Sequence, residues 1–136
     1  MNKQTIGFIG LGLIGGSIAK AIRKNYPDTK LFGHATRQNT LQLAYDAGVI
    51  QNQDFLPLEA FADMDILFLC APVVKNIEYA QKLAPLVRGK RCLLTDVGSV
   101  KGGIQQALDE LGLSAQFIGG HPMTGSEKDG FAYSSP

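Results

Sequence analysis

Two kinds of apolar pattern alternate along the chain, and their order predicts the fold. Continuous apolar runs of about four to eight residues are typical of buried strands, whereas apolar residues three and four apart are typical of helices. Strands are predicted at 5–9, 30–33, 65–71, 91–95 and 115–118. Helices are predicted at 13–26, 41–47, 57–62, 75–86 and 100–111, with Gly48 and Gly112 ending the second and the fifth.

Strands that alternate with helices in this way predict a doubly wound, mostly parallel α/β sheet with helices on both faces. The 136 residues are enough for one such domain, residues 1–136. Ligands of these sheets bind beyond the carboxyl ends of the strands. The residues that follow each strand are therefore the candidates for function.

Composition narrows the class of ligand. Thirteen basic and twelve acidic residues leave a net charge of +1 without a long run of one sign, so no binding surface for nucleic acid or an anionic membrane is predicted. A small-molecule partner is expected. The sequence shows no signal peptide and no apolar stretch near the roughly 20 residues that cross a bilayer.

The two cysteines, Cys70 and Cys92, lie in apolar runs without the spacing of metal ligands. We expect both to behave as buried small hydrophobic residues, and no metal site is predicted. Unpaired cysteines are usual in a reducing compartment, which makes the cytoplasm the default location.

A glycine-rich turn follows the first predicted strand. In this turn the first glycine permits a tight bend, the second lets the backbone approach a diphosphate, and the third allows close helix packing, while the helix N-terminus stabilises the negative charge. A structural glycine-rich turn is the alternative, but the position between a strand and a helix favours a dinucleotide cofactor. The candidate cofactor-binding residues are Gly10, Gly12, Leu13, Ile14 and Gly15.

The end of the second strand bears on which nicotinamide cofactor is used. NAD-binding sheets usually carry a carboxylate here for the ribose hydroxyls, and NADP-binding sheets an arginine for the 2′-phosphate. The segment 33–38 has no carboxylate but contains Thr36 and Arg37. We predict that these two residues bind the phosphate and that NADP is preferred to NAD; a solvated Arg37 and use of either cofactor is the alternative.

Each of the three later strands is followed by a further candidate segment or residue. Ala71, Pro72 and Val73 are small enough to line the cofactor, or they form only a strand-to-helix turn. Ser99 fits both a helix N-cap and an active-site hydroxyl. His121 follows the last strand, where the nicotinamide is expected, and its near-neutral pKa suits a proton acceptor, whereas His34 is better placed near the adenosine.

Three segments together resemble the prephenate/arogenate dehydrogenase family of tyrosine biosynthesis: the glycine turn at 10–15, Asp-Val-Gly-Ser-Val-Lys at 96–101 and His-Pro-Met-Thr-Gly-Ser-Glu-Lys at 121–128. The resemblance covers essentially the whole chain. It implies a Rossmann-type sheet and the oxidative decarboxylation of prephenate to 4-hydroxyphenylpyruvate, or of arogenate to tyrosine, with hydride transfer to NAD(P)⁺.

The resemblance also implies roles for four residues. His121 would be the base that takes the proton of the ring hydroxyl, and Ser99 would assist it through the hydroxyl or His121 itself. Ser126 would lie near the side-chain carboxylate of the substrate, and Glu127 would line the entrance to the site.

Two departures from the family pattern change the expectations. Many members carry an acidic residue near Ala35, and its absence puts NAD preference in doubt. Members also have a helical C-terminal domain that supplies the dimer interface and a basic residue for the substrate. That domain is absent from residues 1–136, so we expect a fragment of a homodimeric enzyme that binds cofactor but turns over substrate poorly.

Two other readings stay open from the sequence. One is another two-domain dehydrogenase, of the β-hydroxyacid dehydrogenase or pyrroline-carboxylate reductase type, and the other is a non-catalytic module that senses NADP(H). A catalytic role for His121 would separate a prephenate or arogenate dehydrogenase from both of these alternatives. The sequence leaves open the choice between prephenate and arogenate, and feedback inhibition by tyrosine.

Overall fold

The computed structural model describes residues 4–97 and 101–119, together with Phe131 and Ser134. Five parallel strands form one sheet in the order β2-β1-β3-β4-β5. They are β1 Thr5–Ile9, β2 Lys30–His34, β3 Ile66–Leu69, β4 Leu93–Asp96 and β5 Phe117–Gly119. The predicted doubly wound parallel sheet is confirmed.

Helices cover both faces of this sheet, which gives three layers. They are α1 Leu13–Asn25, α2 Gln38–Asp46, α3 Leu58–Ala62, α4 Val73–Val87 and α5 Lys101–Glu110. One apolar cluster joins α1 and α2 to the sheet and includes Phe8, Leu31 and Leu41. The other joins α3, α4 and α5 to the opposite face and includes Phe61, Leu83 and Leu108. Burial of these two clusters is the main stabilising term of the fold.

The strand order reverses at β1. Strand β2 pairs with one edge of β1, whereas β3 pairs with the other, so the chain winds outward in both directions from this point. The crevice of a doubly wound sheet opens at the carboxyl ends of the strands where the order reverses. The glycine turn directly follows β1 and therefore lies at this crevice.

Several boundaries differ from the prediction. β3 is Ile66–Leu69 rather than 65–71: the Cys70 amide still donates to the Ile9 carbonyl of β1, but the Ala71 amide donates to the Asn76 side chain. Pro57 precedes α3 with an extended ψ of 150° instead of lying in its first turn. Residues 114–116 form a single 3₁₀ turn, so the last strand begins at Phe117 and not at 115.

Both glycines that were predicted to end helices do so, each with φ of 75°: Gly48 after α2 and Gly112 after α5. In the part of the chain that the structure describes, no helix is both long and apolar enough to cross a membrane.

Both cysteines are shielded, although to different extents. Cys92 is buried, and Cys70 is partly exposed at the end of β3. Burial, together with the nearby Asp96 carboxylate, raises the pKa of Cys70 from 9.0 to about 12. Burial and the carboxylates of Asp65 and Asp63 raise the pKa of Cys92 to about 11, with Lys90 opposing them. Both side chains are therefore neutral thiols near neutral pH.

We expect both thiols to resist alkylation in the folded chain. At about pH 8 a pKa of about 12 instead of 9.0 lowers the thiolate fraction of Cys70 roughly a thousandfold, and Cys92 roughly a hundredfold. Iodoacetamide labelling followed by mass spectrometry measures this, with the chain in urea as the fully reactive control. Rapid labelling of folded Cys70 would contradict this account.

Because folding raises both pKa values, the thiols of the unfolded chain ionise first, and the free energy of unfolding should fall as the pH rises above 9.0.

Two glycine-to-alanine substitutions should change stability in opposite directions. A methyl group on Gly7 of β1 would lie 2.7 Å from side-chain carbons of Leu67 and Phe61, both fully buried, so Gly7→Ala should destabilise the fold by about 1–3 kcal/mol. Gly103 of α5 has nothing within 4 Å of the corresponding position, and Gly103→Ala should stabilise the helix by about 0.5–1 kcal/mol. Urea denaturation of the two variants measures both effects, and equal shifts would refute the packing argument.

Candidate functional site

The glycine turn between β1 and α1 is pressed against the ends of both neighbouring strands. The Gly10 amide donates a hydrogen bond of 2.8 Å to the carbonyl of His34 at the end of β2. On the other side, a Cβ atom on Gly10 would lie 2.9 Å from the amide nitrogen of Ala71. Gly10 has φ of 106°, in the left-handed region, so both its conformation and its surroundings require glycine.

Gly15, the third glycine of the turn, lies in the first turn of α1 and packs against Gly10 and Cys70. A Cβ atom on Gly15 would lie 2.5 Å from the Gly10 carbonyl oxygen and 3.0 Å from Cβ of Cys70. Helix α1 can therefore begin directly against the turn and the end of β3. The predicted role of Gly15 in close helix packing agrees with this geometry.

The N-terminus of α1 presents its amide groups without a side-chain cap. Gly12 occupies the N-cap position with an extended backbone, and no acidic side chain lies in the first turn. The first intrahelical bond shown at this end runs from the Gly16 amide to the Gly12 carbonyl at 2.9 Å. The amides of Leu13 and Ile14 precede that bond and, together with the helix dipole, suit phosphate oxygens.

This turn fits a dinucleotide. Side chains at Gly10 or Gly15 would occupy the space through which the backbone of the turn contacts the neighbouring strand end. The turn also places a helix N-terminus at the crevice of the sheet, where a diphosphate is expected. Backbone groups of Gly10, Gly12, Leu13, Ile14 and Gly15 would hold it.

The segment after β2 carries the two residues predicted to bind a 2′-phosphate. Thr36 and Arg37 are both exposed, and Arg37 is the N-cap residue of α2, with φ of −120° and ψ of 133°. No side-chain cap occupies this helix end, and its first turn contains no acidic residue. Among the described residues, the Arg37 guanidinium has no hydrogen bond or ion pair, so it can bind an anion.

His34 is turned away from this segment, toward the α3 and α4 layer. Its Nε2 atom shares a hydrogen bond of 3.2 Å with the Tyr79 hydroxyl, and its ring packs edge-on against Tyr79 and Phe61. Burial, and secondarily the charge of Lys82, lower its pKa below 6.5. The ring is therefore neutral at pH 7, and within the described part of the chain its Nδ1 atom is buried without a hydrogen-bond partner.

The segment after β3, which is predicted to line the cofactor, lies beside the glycine turn. Ala71 and Val73 are partly buried, and the exposed Pro72 is the N-cap residue of α4. The Ala71 amide is not free for a ligand, because it donates to Oδ1 of Asn76 at 3.0 Å. Sequence analysis missed Asn76, although an asparagine in an otherwise apolar helical stripe is a signal that deserved notice.

A second buried asparagine was missed in the same way. Asn52 follows the core residues Val49 and Ile50 and lies along the free edge of β2, where it hydrogen-bonds both backbone groups of Gly33. Its neighbour Gln51 donates a backbone hydrogen bond to Leu31. The segment 49–54 therefore covers an edge of the sheet that would otherwise be unpaired.

The predicted catalytic and substrate-binding residues lie outside the described residues: Ser99, His121, Ser126 and Glu127. The described chain leads directly to them. Val97 follows β4 just before Ser99, and Gly119 ends β5 just before His121. Both strands end at the same edge of the sheet as β1, because all five strands are parallel.

The glycine turn is shared by many dehydrogenases, so comparisons that extend beyond it carry more weight. The family model for "Prephenate dehydrogenase, nucleotide-binding domain" matches residues 18–136. That match begins after the glycine turn and therefore does not depend on it. The prephenate dehydrogenase of Bacillus subtilis (strain 168) is 37% identical over 131 residues, which are 96% of this chain and 35% of that protein.

Two solved structures are similar over almost the whole chain. Prephenate dehydrogenase from A. aeolicus, in complex with hydroxyphenyl propionate and NAD⁺, has a TM-score of 0.86 and 33% identity, covering 98% of this chain and 46% of that one. Arogenate dehydrogenase from Synechocystis has a TM-score of 0.82 and 32% identity, covering 96% of this chain and 45% of that one.

These similarities favour the prephenate/arogenate dehydrogenase family over the two alternatives, a β-hydroxyacid-type dehydrogenase and a sensing module. The chain spans about a third of the length of its curated relative from B. subtilis and just under half of the two solved chains. The chain belongs to the prephenate dehydrogenase family, of which it contains the nucleotide-binding domain.

Proposed function

We propose that this chain binds a nicotinamide dinucleotide at the glycine turn and serves an enzyme that oxidatively decarboxylates prephenate or arogenate. The observation that carries the proposal is the family match over residues 18–136, joined to a turn in which Gly10 and Gly15 leave no room for side chains. The A. aeolicus relative was crystallised with NAD⁺ and a hydroxyphenyl compound, which supports both the cofactor and the aromatic class of the product.

The residues of the chain would divide the work between binding and proton transfer. The bound nicotinamide supplies the acceptor for the hydride that leaves the ring carbon bearing the hydroxyl. His121 takes the hydroxyl proton, and Ser99 holds the hydroxyl or the imidazole in position. Ser126 orients the side-chain carboxylate of the substrate, and Glu127 lines the entrance.

In this reaction the protein contributes chiefly by positioning the substrate and the cofactor. When the ring loses its carboxyl group as carbon dioxide, the electron pair of the broken bond passes through the ring to the oxygen, which takes back a proton as the ring becomes aromatic, so the product is strongly favoured. The protein must align the carbinol carbon with the cofactor, accept the hydroxyl proton and return it. A homodimer formed through a further domain, with a basic group for a substrate carboxylate, would complete the site. Two unpaired thiols fit a cytoplasmic location.

We also propose that NADP is preferred to NAD. The segment after β2 has an exposed guanidinium at Arg37, an uncapped helix N-terminus and no acidic residue in the first turn of α2. A carboxylate, which would repel a 2′-phosphate, is absent from positions 33–38. The phosphate would be held by Arg37, by the hydroxyl of Thr36 and by the first amides of α2.

Titration of the chain with NADPH and NADH tests this preference. Arg37→Ala should weaken NADPH binding roughly tenfold to a hundredfold, because a charge-assisted hydrogen bond is lost, and should leave NADH binding nearly unchanged. Arg91→Ala is the matched control, because Arg91 is also exposed but precedes β4 and so lies at the amino ends of the parallel strands, opposite the glycine turn. Comparable affinities of the native chain for the two cofactors would refute the preference while keeping the dehydrogenase.

The role of His121 is tested in an enzyme that contains this domain together with the rest of the protein. His121→Asn should lower kcat by about a hundredfold to ten-thousandfold, the usual contribution of a general base, with little change in cofactor affinity. Steady-state kinetics and a parallel NADPH titration measure the two quantities. An unchanged kcat would remove His121 from the mechanism and favour a merely structural histidine.

A further inference from the structure

Two buried asparagines hold the ends of the two strands that flank β1. Asn52 is 8% exposed and Asn76 is 1% exposed, which is unusual for asparagine in a domain of this size. Burying a side-chain amide is costly unless its donor and acceptor are both used. In both residues they are used, and the partners are backbone groups at the edge of the sheet where the cofactor binds.

Asn52 pairs with the end of β2 as a backbone peptide group would. Its Oδ1 atom accepts a hydrogen bond of 2.9 Å from the Gly33 amide, and its Nδ2 atom donates one of 2.9 Å to the Gly33 carbonyl. The same Nδ2 atom donates to the Asp54 carbonyl, also at 2.9 Å, which fixes the segment that carries Asn52. Gly33 lies three residues before Thr36 and four before Arg37, so this pairing sets where β2 ends and the phosphate-binding segment begins.

Asn76 holds the end of β3 in a similar way. Its Oδ1 atom accepts from the Ala71 amide at 3.0 Å, and its Nδ2 atom donates to the Leu69 carbonyl at 3.2 Å. Ala71 is the residue whose amide nitrogen would lie 2.9 Å from a Cβ atom on Gly10. Asn76 therefore fixes the peptide group against which the glycine turn is packed.

We propose that Asn52 and Asn76 are positioning residues of the dinucleotide site, with distinct effects. Asn52 sets the position of the 2′-phosphate segment and so controls the selectivity between NADPH and NADH. Asn76 sets the surface beneath the glycine turn and so controls affinity for the diphosphate, which both cofactors contain. This inference rests on the proposed function, because it assigns positions within the same cofactor site.

Titration of Asn52→Ala and Asn76→Ala chains with NADPH and NADH separates the two effects. Asn52→Ala should reduce the preference for NADPH roughly tenfold, chiefly by weakening NADPH. Asn76→Ala should weaken both cofactors by a similar factor, roughly tenfold, and leave their ratio unchanged. Leu108→Ala is the control, because Leu108 is fully buried in the last turn of α5, and its loss lowers stability without removing a hydrogen bond to the ends of β2 or β3.

For Asn52 the ratio of the two affinities is the informative quantity, because a general loss of stability weakens both cofactors together. For Asn76 the informative comparison is with Leu108→Ala, which should bind both cofactors more tightly than Asn76→Ala does. If an alanine variant does not fold, Asn52→Ser or Asn76→Ser is titrated instead, since serine keeps a neutral hydroxyl that can make one of the hydrogen bonds without burying a charge. Unchanged affinities in both asparagine variants, or a common loss that Leu108→Ala shares, would overturn the inference. A native chain without NADPH preference would overturn the Asn52 role alone, and one that binds neither cofactor would overturn the proposed function itself.

Discussion

The backbone of the glycine turn lies against the peptide group between Cys70 and Ala71 with no room for a side chain, and the rest of the site depends on that contact. It exists because β1 pairs with β2 on one side and β3 on the other, so the turn after β1 passes between two strand ends. Gly10 is bound to the His34 carbonyl and packed against Ala71, which fixes the direction in which α1 leaves the sheet. The amides at the start of α1 are thereby aimed at the crevice.

Most of the proposed binding groups are backbone amides rather than charged side chains. This agrees with a chain whose net charge is only +1. Phosphates would be bound at two helix N-termini, those of α1 and α2, neither of which has a side-chain cap or an acidic residue in its first turn. Because binding by amides depends on where the backbone lies, small displacements of the strand ends matter more here than in a site built from long, flexible side chains.

Two titratable side chains at this end of the sheet, Cys70 and His34, are both uncharged near neutral pH. The Cys70 thiol lies beside the glycine turn, but its raised pKa keeps it protonated. His34 is held in the neutral form and is occupied with Tyr79. These observations agree with the proposal that proton transfer belongs to the residues that follow β4 and β5, where the family motifs lie.

The order of strands and helices, the glycine turn, the missing carboxylate at 33–38 and the family motifs were all available from the sequence, because each depends on local periodicity or on a short run of residues. The boundaries of β3, α3 and β5 were not available from the sequence, since hydrogen bonding to neighbouring elements decides where an element begins and ends. Asn76 bonds the end of β3 only five and seven residues away, and its position in an apolar helical stripe was a local signal for that contact. Only the tertiary structure paired Asn52 with Gly33, 19 residues away, and only it directed His34 toward Tyr79. The Asn52 and His34 contacts depend on how the strands are aligned and how the layers pack, which no local pattern encodes.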